Sequence, residues 1–266
     1  MAGTRSISSL ARNLLRPGYA RVIVGKVRSR FTDDARTAAE ALDWYAARRV
    51  RPVDYFTAID PALADETARF GESVRARAAE VSEQVGFEVD SAGRYELLYF
   101  LTRLHRPRTI VETGVAYGYS SLAFLRALER NGDGGRLWSS DFPFFRMADP
   151  ERFVGIMVPD ELRDAWSLRT KGDGANLPEI LAEVDRIDLF HYDSDKSARG
   201  RKFGCDLVLP RLAADGVFLM DDIQDNGWFK NHVERHALDC VVFGGSNRAF
   251  VGAVGVAPPG SAPQGR

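Results

Sequence analysis

The stretch that decides the fold is VETGVAYGYSS, residues 111–121. It joins a short apolar run, typical of a buried strand, to a stretch with helical periodicity. Gly114 and Gly118 permit a tight turn and a close approach of the backbone to a ligand, just before a helix N-terminus. In open α/β sheets ligands bind outside the carboxyl ends of the strands. The loop is therefore a candidate nucleotide site, although glycines that only tighten a strand–helix turn would give the same pattern.

Short apolar runs alternate with helical stretches from residue 108 onward, which is typical of a parallel sheet with crossover helices. The last two runs are joined by only residues 245–247, a link so short that the two runs must be antiparallel neighbours. The sequence predicts an α/β, Rossmann-like sheet of seven strands, parallel except for a terminal hairpin and flanked by helices. The predicted strands are 108–112, 136–140, 167–170, 187–192, 216–221, 239–244 and 248–256. The predicted helices here are 119–130, 175–184, 198–213 and 227–237.

Residues 1–90 are predicted to form a helical N-terminal extension or cap on a domain at 91–256. One helix covers residues 34–48, another begins with Asp60 as cap and Pro61 in the first turn, and Ser91 caps a further one. Residues 1–32 form a basic arm with seven basic and no acidic side chains. The tail 257–266 is rich in Pro and Gly and is predicted to be disordered.

The charge distribution limits the partners of the chain. Outside the basic arm there are 29 basic against 37 acidic side chains, a net charge of −8. This acidic body argues against nucleic-acid binding, because neutralising phosphates requires a basic face. The arm suits an anionic membrane surface, and it equally suits docking on the acidic body of its own chain or of a partner chain in a homo-oligomer such as a dimer.

The location of the protein follows from what the sequence lacks. No charge-free apolar run approaches the roughly 18 residues of a membrane span. Arg12 and Arg16 interrupt any signal-peptide core. Cys205 and Cys240 are the only cysteines, and they form no disulfide framework. We therefore expect a cytoplasmic protein.

Asp141 ends the second strand of the predicted sheet, 29 residues after Glu112. A carboxylate at this point can accept hydrogen bonds from both hydroxyl groups of a ribose. The alternative is an aspartate that caps the following turn. Together with Glu112 and the glycine loop, Asp141 favours a nucleotide-type cofactor.

A second group of charged residues follows strands four and five. Asp193 ends strand four, Lys196 lies three residues further on, and Asp221 and Asp222 end strand five. Adjacent parallel strands end at the same edge, so the three carboxylates converge there and need a cation or proton to offset their repulsion. Oxygen ligands of this kind suit Mg²⁺ or Mn²⁺. Helix capping by the aspartates is the alternative, and His191 either contacts substrate or cofactor or is a satisfied core histidine.

Over residues 91–256 the chain resembles class I S-adenosylmethionine-dependent methyltransferases. VETGVAYGYSS resembles the first motif of that family, LWSSDFP its ribose-binding strand end, and KGDGANLPEIL the stretch that flanks the adenine. The terminal hairpin is similar to the reversed last strand of that fold. The resemblance implies S-adenosylmethionine as cofactor, held by Glu112, Gly114, Tyr117, Gly118, Ser120, Asp141, Gly172, Asp173 and Asp193.

Within that fold, the charged residues are similar to those of the metal-dependent O-methyltransferases of the catechol and caffeoyl-CoA type. The resemblance implies that Asp193, Asp221 and Asp222 hold a divalent metal and that Lys196 is the catalytic base. Related bacterial sequences often carry histidine at the position of Lys196. The implied function is methyl transfer to a hydroxyl of a small molecule, such as a sugar or natural product. A metal-independent methyltransferase and a non-catalytic or NAD-type nucleotide-binding protein are the alternatives.

Overall fold

A mixed sheet forms the centre of the computed structural model, which describes residues 34–90, 94–142, 149–245 and 249–258. Within these residues the sheet has eight strands in the order β1-β7-β8-β6-β5-β2-β3-β4. β8 runs antiparallel to both of its neighbours, and the other pairs are parallel. The strands are β1 (Arg49–Val50), β2 (Thr109–Thr113), β3 (Arg136–Ser140), β4 (Trp166–Arg169), β5 (Ile187–Tyr192), β6 (Leu212–Met220), β7 (Cys240–Gly244) and β8 (Phe250–Val254).

Helices cover both faces of this sheet. α3 (Pro61–Val85) begins where the Asp60 carboxylate accepts a hydrogen bond from the Leu63 amide, and it ends at Gly86 in the left-handed conformation. Ser197 caps α7 (Ala198–Val208) in the same way as Asp60 caps α3. The helices of the described residues are α1 (Asp34–Ala47), α2 (Pro52–Ile59), α3 (Pro61–Val85), α4 (Tyr95–His105), α5 (Tyr119–Asn131), α6 (Asp173–Glu183), α7 (Ala198–Val208) and α8 (Trp228–Arg235).

Alternate residues of the central strands enter two separate cores. Ile110 and Leu189 pack with α2–α5 on one face of the sheet. Val111 and Phe190 pack with α1 and α6–α8 on the other face. Because the strands are covered on both faces, they are apolar almost throughout, as expected for a parallel sheet.

The predicted α/β architecture with its antiparallel hairpin is confirmed, and two details are corrected. The sheet has eight strands, because the two-residue strand β1 pairs with β7 at one edge. A strand of two residues has no alternation that a sequence pattern can detect. The helix predicted over 198–213 ends at Val208, and β6 begins at Leu212 instead of residue 216, because Pro210 lies in a short 3-10 turn between them.

The N-terminal segment is integrated with the rest of the chain. The strand β1 extends the sheet, and Tyr55 and Phe56 of α2 are buried in the core that also contains α4 and α5. The division at residue 90 stays a prediction. The basic arm 1–32, the predicted Ser91 cap, residues 246 and 247 of the predicted link 245–247, residue 248 and the part of the predicted tail beyond residue 258 lie outside the described residues. Within the described part of the chain, no helix is both long and apolar enough to cross a membrane.

Candidate active site

The glycine loop between β2 and α5 needs glycine at two positions. Gly114 has a φ of 84°, and a Cβ atom there would overlap the carbonyl oxygen of Asp193 at the end of β5. Gly118 has a φ of 93°, and a Cβ atom there would lie 2.7 Å from Cα of Gly155. Both glycines therefore allow a close approach of two chain segments in a conformation that L residues rarely adopt. The loop is compact, and it brings the end of β2 against the end of β5.

A pocket opens beside this loop, where β2, β5 and β6 end. Five predicted site residues line it, namely Gly114, Tyr117, Ser120, Asp193 and Asp221. The remaining lining residues are Asp90, Arg94, Leu98, Val115, Ala116, Tyr119 and His191. The other predicted site residues do not line it; they are Glu112, Gly118, Asp141, Gly172, Asp173, Lys196 and Asp222. The glycine loop and two of the three predicted metal-binding aspartates, Asp193 and Asp221, therefore line the same pocket.

Asp141 supports the glycine loop from the neighbouring strand. Its Oδ2 accepts a hydrogen bond from the Ala116 amide at 2.8 Å, and its Oδ1 accepts one from the Phe142 amide at 2.7 Å. Ala116 has a φ of 49°, so Asp141 holds a loop residue in a left-handed conformation. Each carboxylate oxygen has a second lone pair that can accept a ribose hydroxyl. These two contacts are those expected of an aspartate that caps a turn, which was the alternative interpretation of Asp141. A contact with a ribose stays a prediction.

Glu112 is fully buried beneath the loop, and its Oε2 accepts hydrogen bonds from the hydroxyls of Ser121 and Ser139. Burial raises the pKa of Glu112 to about 7. The Nδ1 atom of His191 lies 3.9 Å from Glu112 Oε1, and neither atom has a hydrogen-bond partner among the described residues. Burial, and after it the charge of Lys196, lowers the pKa of His191 to about 3. His191 is thus a neutral pocket residue and not a satisfied core histidine.

Gly172 and Asp173 form the start of α6, beyond β4. The Gly172 amide donates to the Asp141 carbonyl at 3.0 Å. The Asp173 carboxylate accepts from the hydroxyl of Ser140, the last residue of β3, and from that of Ser194, after β5. Asp173 therefore ties two strand ends together. The resemblance implied that both residues lie next to the adenine, which stays a prediction; neither of them lines the pocket.

The charged group at the ends of β5 and β6 is centred on Lys196. Its Nζ forms an ion pair with Asp193 Oδ1 and lies 3.1 Å from Asp222 Oδ2. Burial, the largest single cause, would raise the pKa of Asp222, but Lys196, Gln224 and Arg201 together outweigh it, and the pKa of Asp222 is lowered. Burial raises the pKa of Asp221, whose Oδ1 accepts a hydrogen bond from the Asp222 amide. The sequence predicted that all four charged residues lie at one edge of the sheet. In the structure, ion pairs join three of them, Asp193, Lys196 and Asp222.

This arrangement does not fit the divalent metal that the resemblance implies. The Lys196 ammonium lies between the Asp193 and Asp222 carboxylates, at the position where a bridging cation would have to lie. Within the described residues, no group of three or more His, Cys, Asp or Glu side chains is arranged to hold a metal ion. The repulsion between the carboxylates is offset by a cation that the chain itself carries.

Three residues near the site were not predicted from the sequence. Arg94 and Asp90 reach the pocket from the segment before α4, and the Arg94 guanidinium donates to the Ala249 carbonyl at 2.6 Å. Asn176 of α6 is fully buried, and its amide donates to the Ser140 hydroxyl and to the Asp141 carbonyl. Asp90 and Arg94 belong to no motif, and Asn176 lies within KGDGANLPEIL without having been singled out there. The packing of the helices on the sheet brings all three to the strand ends.

A parallel sheet with one reversed strand, a glycine loop after its central strand and acidic strand ends define the fold of class I S-adenosylmethionine-dependent methyltransferases. Residues 111–223 match a family model described as a methyltransferase domain. The fold is therefore that of the class I S-adenosylmethionine-dependent methyltransferases, and residues 111–223 contain a methyltransferase domain.

Solved structures agree with this fold. An O-methyltransferase from Bacillus cereus in complex with SAH is similar with a TM-score of 0.53 at 20% identity, over 68% of this chain and 90% of that chain. The O-methyltransferase TomG from Streptomyces achromogenes, involved in tomaymycin synthesis and bound to SAM, gives 0.52 at 18% identity, over 69% and 89%. A comparison with curated protein sequences gives no significant match.

Proposed function

We propose that the chain transfers the methyl group of S-adenosylmethionine to a hydroxyl of a small molecule, of the sugar or natural-product type. The observation that carries this proposal is the shared pocket, in which the glycine loop meets Asp193 and Asp221. A methyl donor on the loop and an acceptor at the carboxylates would then be adjacent, and alignment of two reactants supplies a large part of a rate enhancement. The two similar structures described above are also O-methyltransferases.

The pocket fits a cationic cofactor. Gly114, which has no side chain, and Ser120, which has a small one, leave room for a ligand in the pocket. Asp193 and Asp221 supply negative charge there. Tyr117 and Asp141 would hold the adenosine end, with Gly118 at the N-terminus of α5 and Gly172 and Asp173 at that of α6. Glu112 would support the loop from below through Ser121.

The residues of the charged group would handle the acceptor proton. When bound, S-adenosylmethionine supplies an electrophilic methyl group on a sulfonium centre. A neutral hydroxyl is a weak nucleophile and must lose its proton as the new C–O bond forms. Lys196 is our candidate catalytic residue, either as a neutral amine that takes this proton or as an ammonium that orients the hydroxyl toward the Asp222 carboxylate. Both side chains are about a third exposed, at 31% and 38%, so the proton can pass on to water.

We infer that this chemistry needs no divalent metal, because Lys196 already forms ion pairs with two of the three carboxylates. EDTA should leave the activity unchanged, and calorimetry with Mn²⁺ should find no binding to the intact protein. Lys196→Ala removes the ammonium and should create Mn²⁺ binding at the vacated carboxylates. Activity lost with EDTA and restored by Mg²⁺ would instead support the metal-assisted reaction.

The cofactor can be tested before the acceptor is known. Thermal shift with S-adenosylmethionine, S-adenosylhomocysteine and NAD should give stabilisation by the first two ligands only, because a ligand that binds the folded state raises its stability. Stabilisation by NAD alone would favour the nucleotide-binding alternative. A screen of hydroxylated small molecules with labelled S-adenosylmethionine would then identify the acceptor, and methylation of amines alone would contradict an oxygen acceptor.

The basic arm 1–32 adds a second, separate proposal. With seven basic side chains and no acidic one, it would contact an anionic membrane surface or the acidic body of a second copy. Deleting residues 1–32 and measuring both liposome binding and oligomer size separates these partners. If the shortened chain still binds liposomes and keeps its oligomer size, the arm contacts neither partner.

A further inference from the structure

Arg201 is a fully buried arginine beneath the charged group. It lies on α7, and none of its surface is exposed. Its hydrogen-bond partners among the described residues are the main-chain carbonyls of Asp222 at 2.6 Å and Asp221 at 3.4 Å, and the amide oxygen of Asn226 at 3.5 Å. A buried charge is costly unless it is well paired, and here the partners are neutral oxygens. The sequence pattern gives Arg201 no role in the predicted site.

The first of these bonds acts on the backbone that carries Asp222. Asp222 has a φ of 51° and ψ of 39°, a left-handed conformation that residues other than glycine rarely adopt. Its carbonyl accepts from both the Arg201 guanidinium and the Asp225 amide. A charge-assisted bond of this length is stronger than a neutral one, so it can hold the strained turn. In this conformation the Asp222 carboxylate lies 3.1 Å from Lys196 Nζ.

The other end of the guanidinium reaches the loop that carries Lys196. Asn226 is fully buried, and its side-chain nitrogen donates to the Lys196 carbonyl at 2.7 Å. Its side-chain oxygen accepts from the Trp228 amide and from Arg201. Arg201 therefore contacts, directly or through Asn226, the main chain on both sides of the Lys196–Asp222 ion pair.

We propose that Arg201 is a positioning residue that fixes the turn of residues 221–226 and with it the distance between Lys196 and Asp222. It does not line the pocket, so it acts through these two residues and does not touch the ligand. The expected effect of Arg201 on the catalytic rate rests on the proposed methyl transfer. Its effect on the conformation of residues 221–226 does not.

Two variants and one matched control test this role. Arg201→Met keeps the length and removes the donors, and Arg201→Lys keeps the charge with a single donor group. Arg199→Met is the control, because Arg199 is exposed on the same helix. In Arg201→Met, hydrogen exchange at the amides of Asp222 and Asp225 should speed up by at least about tenfold, while β5 stays protected.

Activity and cofactor binding complete the test. With an acceptor from the screen, Arg201→Met should lower kcat by about tenfold or more, leave the affinity for S-adenosylhomocysteine within about twofold, and be partly rescued in Arg201→Lys. Unchanged exchange at residues 222–225, or loss of β5 protection and of cofactor affinity together with kcat, would overturn the proposal. If wild type methylates no acceptor, the methyl-transfer function fails, and the exchange experiment still decides the role of Arg201.

Discussion

The two sides of the pocket are built in different ways. On the glycine side, main-chain groups fix the shape: the Gly114 amide donates to the Ser140 carbonyl at 2.8 Å, and Ala116 is held by Asp141. On the carboxylate side, charged side chains fix the shape, with Lys196 between Asp193 and Asp222. The first arrangement depends on which residues can adopt a tight turn. The second depends on charges that are partly exposed and therefore partly screened by water and salt.

This difference predicts separate responses to substitution. Changes on the carboxylate side should affect turnover and leave cofactor binding nearly intact. Changes in the loop should affect cofactor binding first. Gly114 is the point where the two sides meet, since a side chain there would overlap the Asp193 carbonyl.

The largest effect is expected for Lys196→Met, which removes the cation from the carboxylate side. Turnover should fall by roughly 10² to 10⁴, the range lost when a proton-transfer group is removed. Affinity for S-adenosylhomocysteine, measured by calorimetry, should stay within about threefold. Lys196→Arg keeps the charge and should keep part of the activity only if the ammonium orients the hydroxyl. Lys202→Met, on the exposed surface of α7, is the control, and equal loss of cofactor binding in Lys196→Met would indicate a structural lysine.

Gly114→Ala should affect both sides of the pocket at once, and therefore both cofactor binding and turnover. The new Cβ atom strains a backbone with φ of 84° and displaces the end of β5. We expect the affinity for S-adenosylhomocysteine to fall by roughly 10- to 100-fold, with turnover falling as well. Gly174→Ala, in an exposed position of α6 with nothing near the new Cβ atom, is the matched control. Normal binding by Gly114→Ala would show that the close contact with Asp193 is dispensable.

Asp141→Asn should act on the glycine side alone. The change leaves one acceptor for the amides of Ala116 and Phe142 and removes the negative charge. Cofactor affinity should fall by about tenfold, the scale of one charge-assisted hydrogen bond. The kcat at saturating cofactor should change little, and Asp160→Asn, on the surface, should have no effect. A fall in kcat with unchanged affinity would reverse the assignment of Asp141 to the cofactor side.

The last effect is on stability alone, and it concerns the pH dependence that Glu112 gives to the folded state. Because its folded pKa is raised to about 7, the folded state keeps a proton that the unfolded state loses near pH 4.5. Stability should therefore fall as pH rises from about 4.5 to about 7 and level off above that, by at most ~3 kcal/mol. Glu112→Gln cannot ionise and should lack this contribution. Urea unfolding of both proteins at pH 5 to 8 measures the difference, and parallel stability curves would show that Glu112 stays charged.

The sequence anticipated the elements whose chemistry is local. Gly114 and Gly118 were found because only glycine suits their backbone conformation, and the aspartates were found because parallel strands end at one edge. The ion pairs of Lys196 were not anticipated, because spacing along the chain gives its position and not the direction of its side chain. The prediction of a metal site rested on the same spacing. It did not consider that Lys196 could itself be the cation that offsets the carboxylate charges.

The residues that sequence reasoning missed are those brought in by packing. Arg94 enters the pocket from the segment before α4, Arg201 reaches the turn after β6 from α7, and Asn226 is the last residue of that turn. None of them stands at a strand end or in a periodic pattern. The strand β1 was missed because two residues are too few for alternation, and it pairs only because the chain before α2 passes the edge of β7.

The short strand β1 also has a consequence for the behaviour of the protein in concentrated solution. Its pairing with Val242 and Phe243 covers part of an edge whose free amides and carbonyls would otherwise be open to pairing with another chain. Both of these β7 residues are buried and strongly β-forming. A chain shortened to begin after residue 50 would expose this apolar edge and should aggregate through it, even though every residue of the pocket described above would still be present.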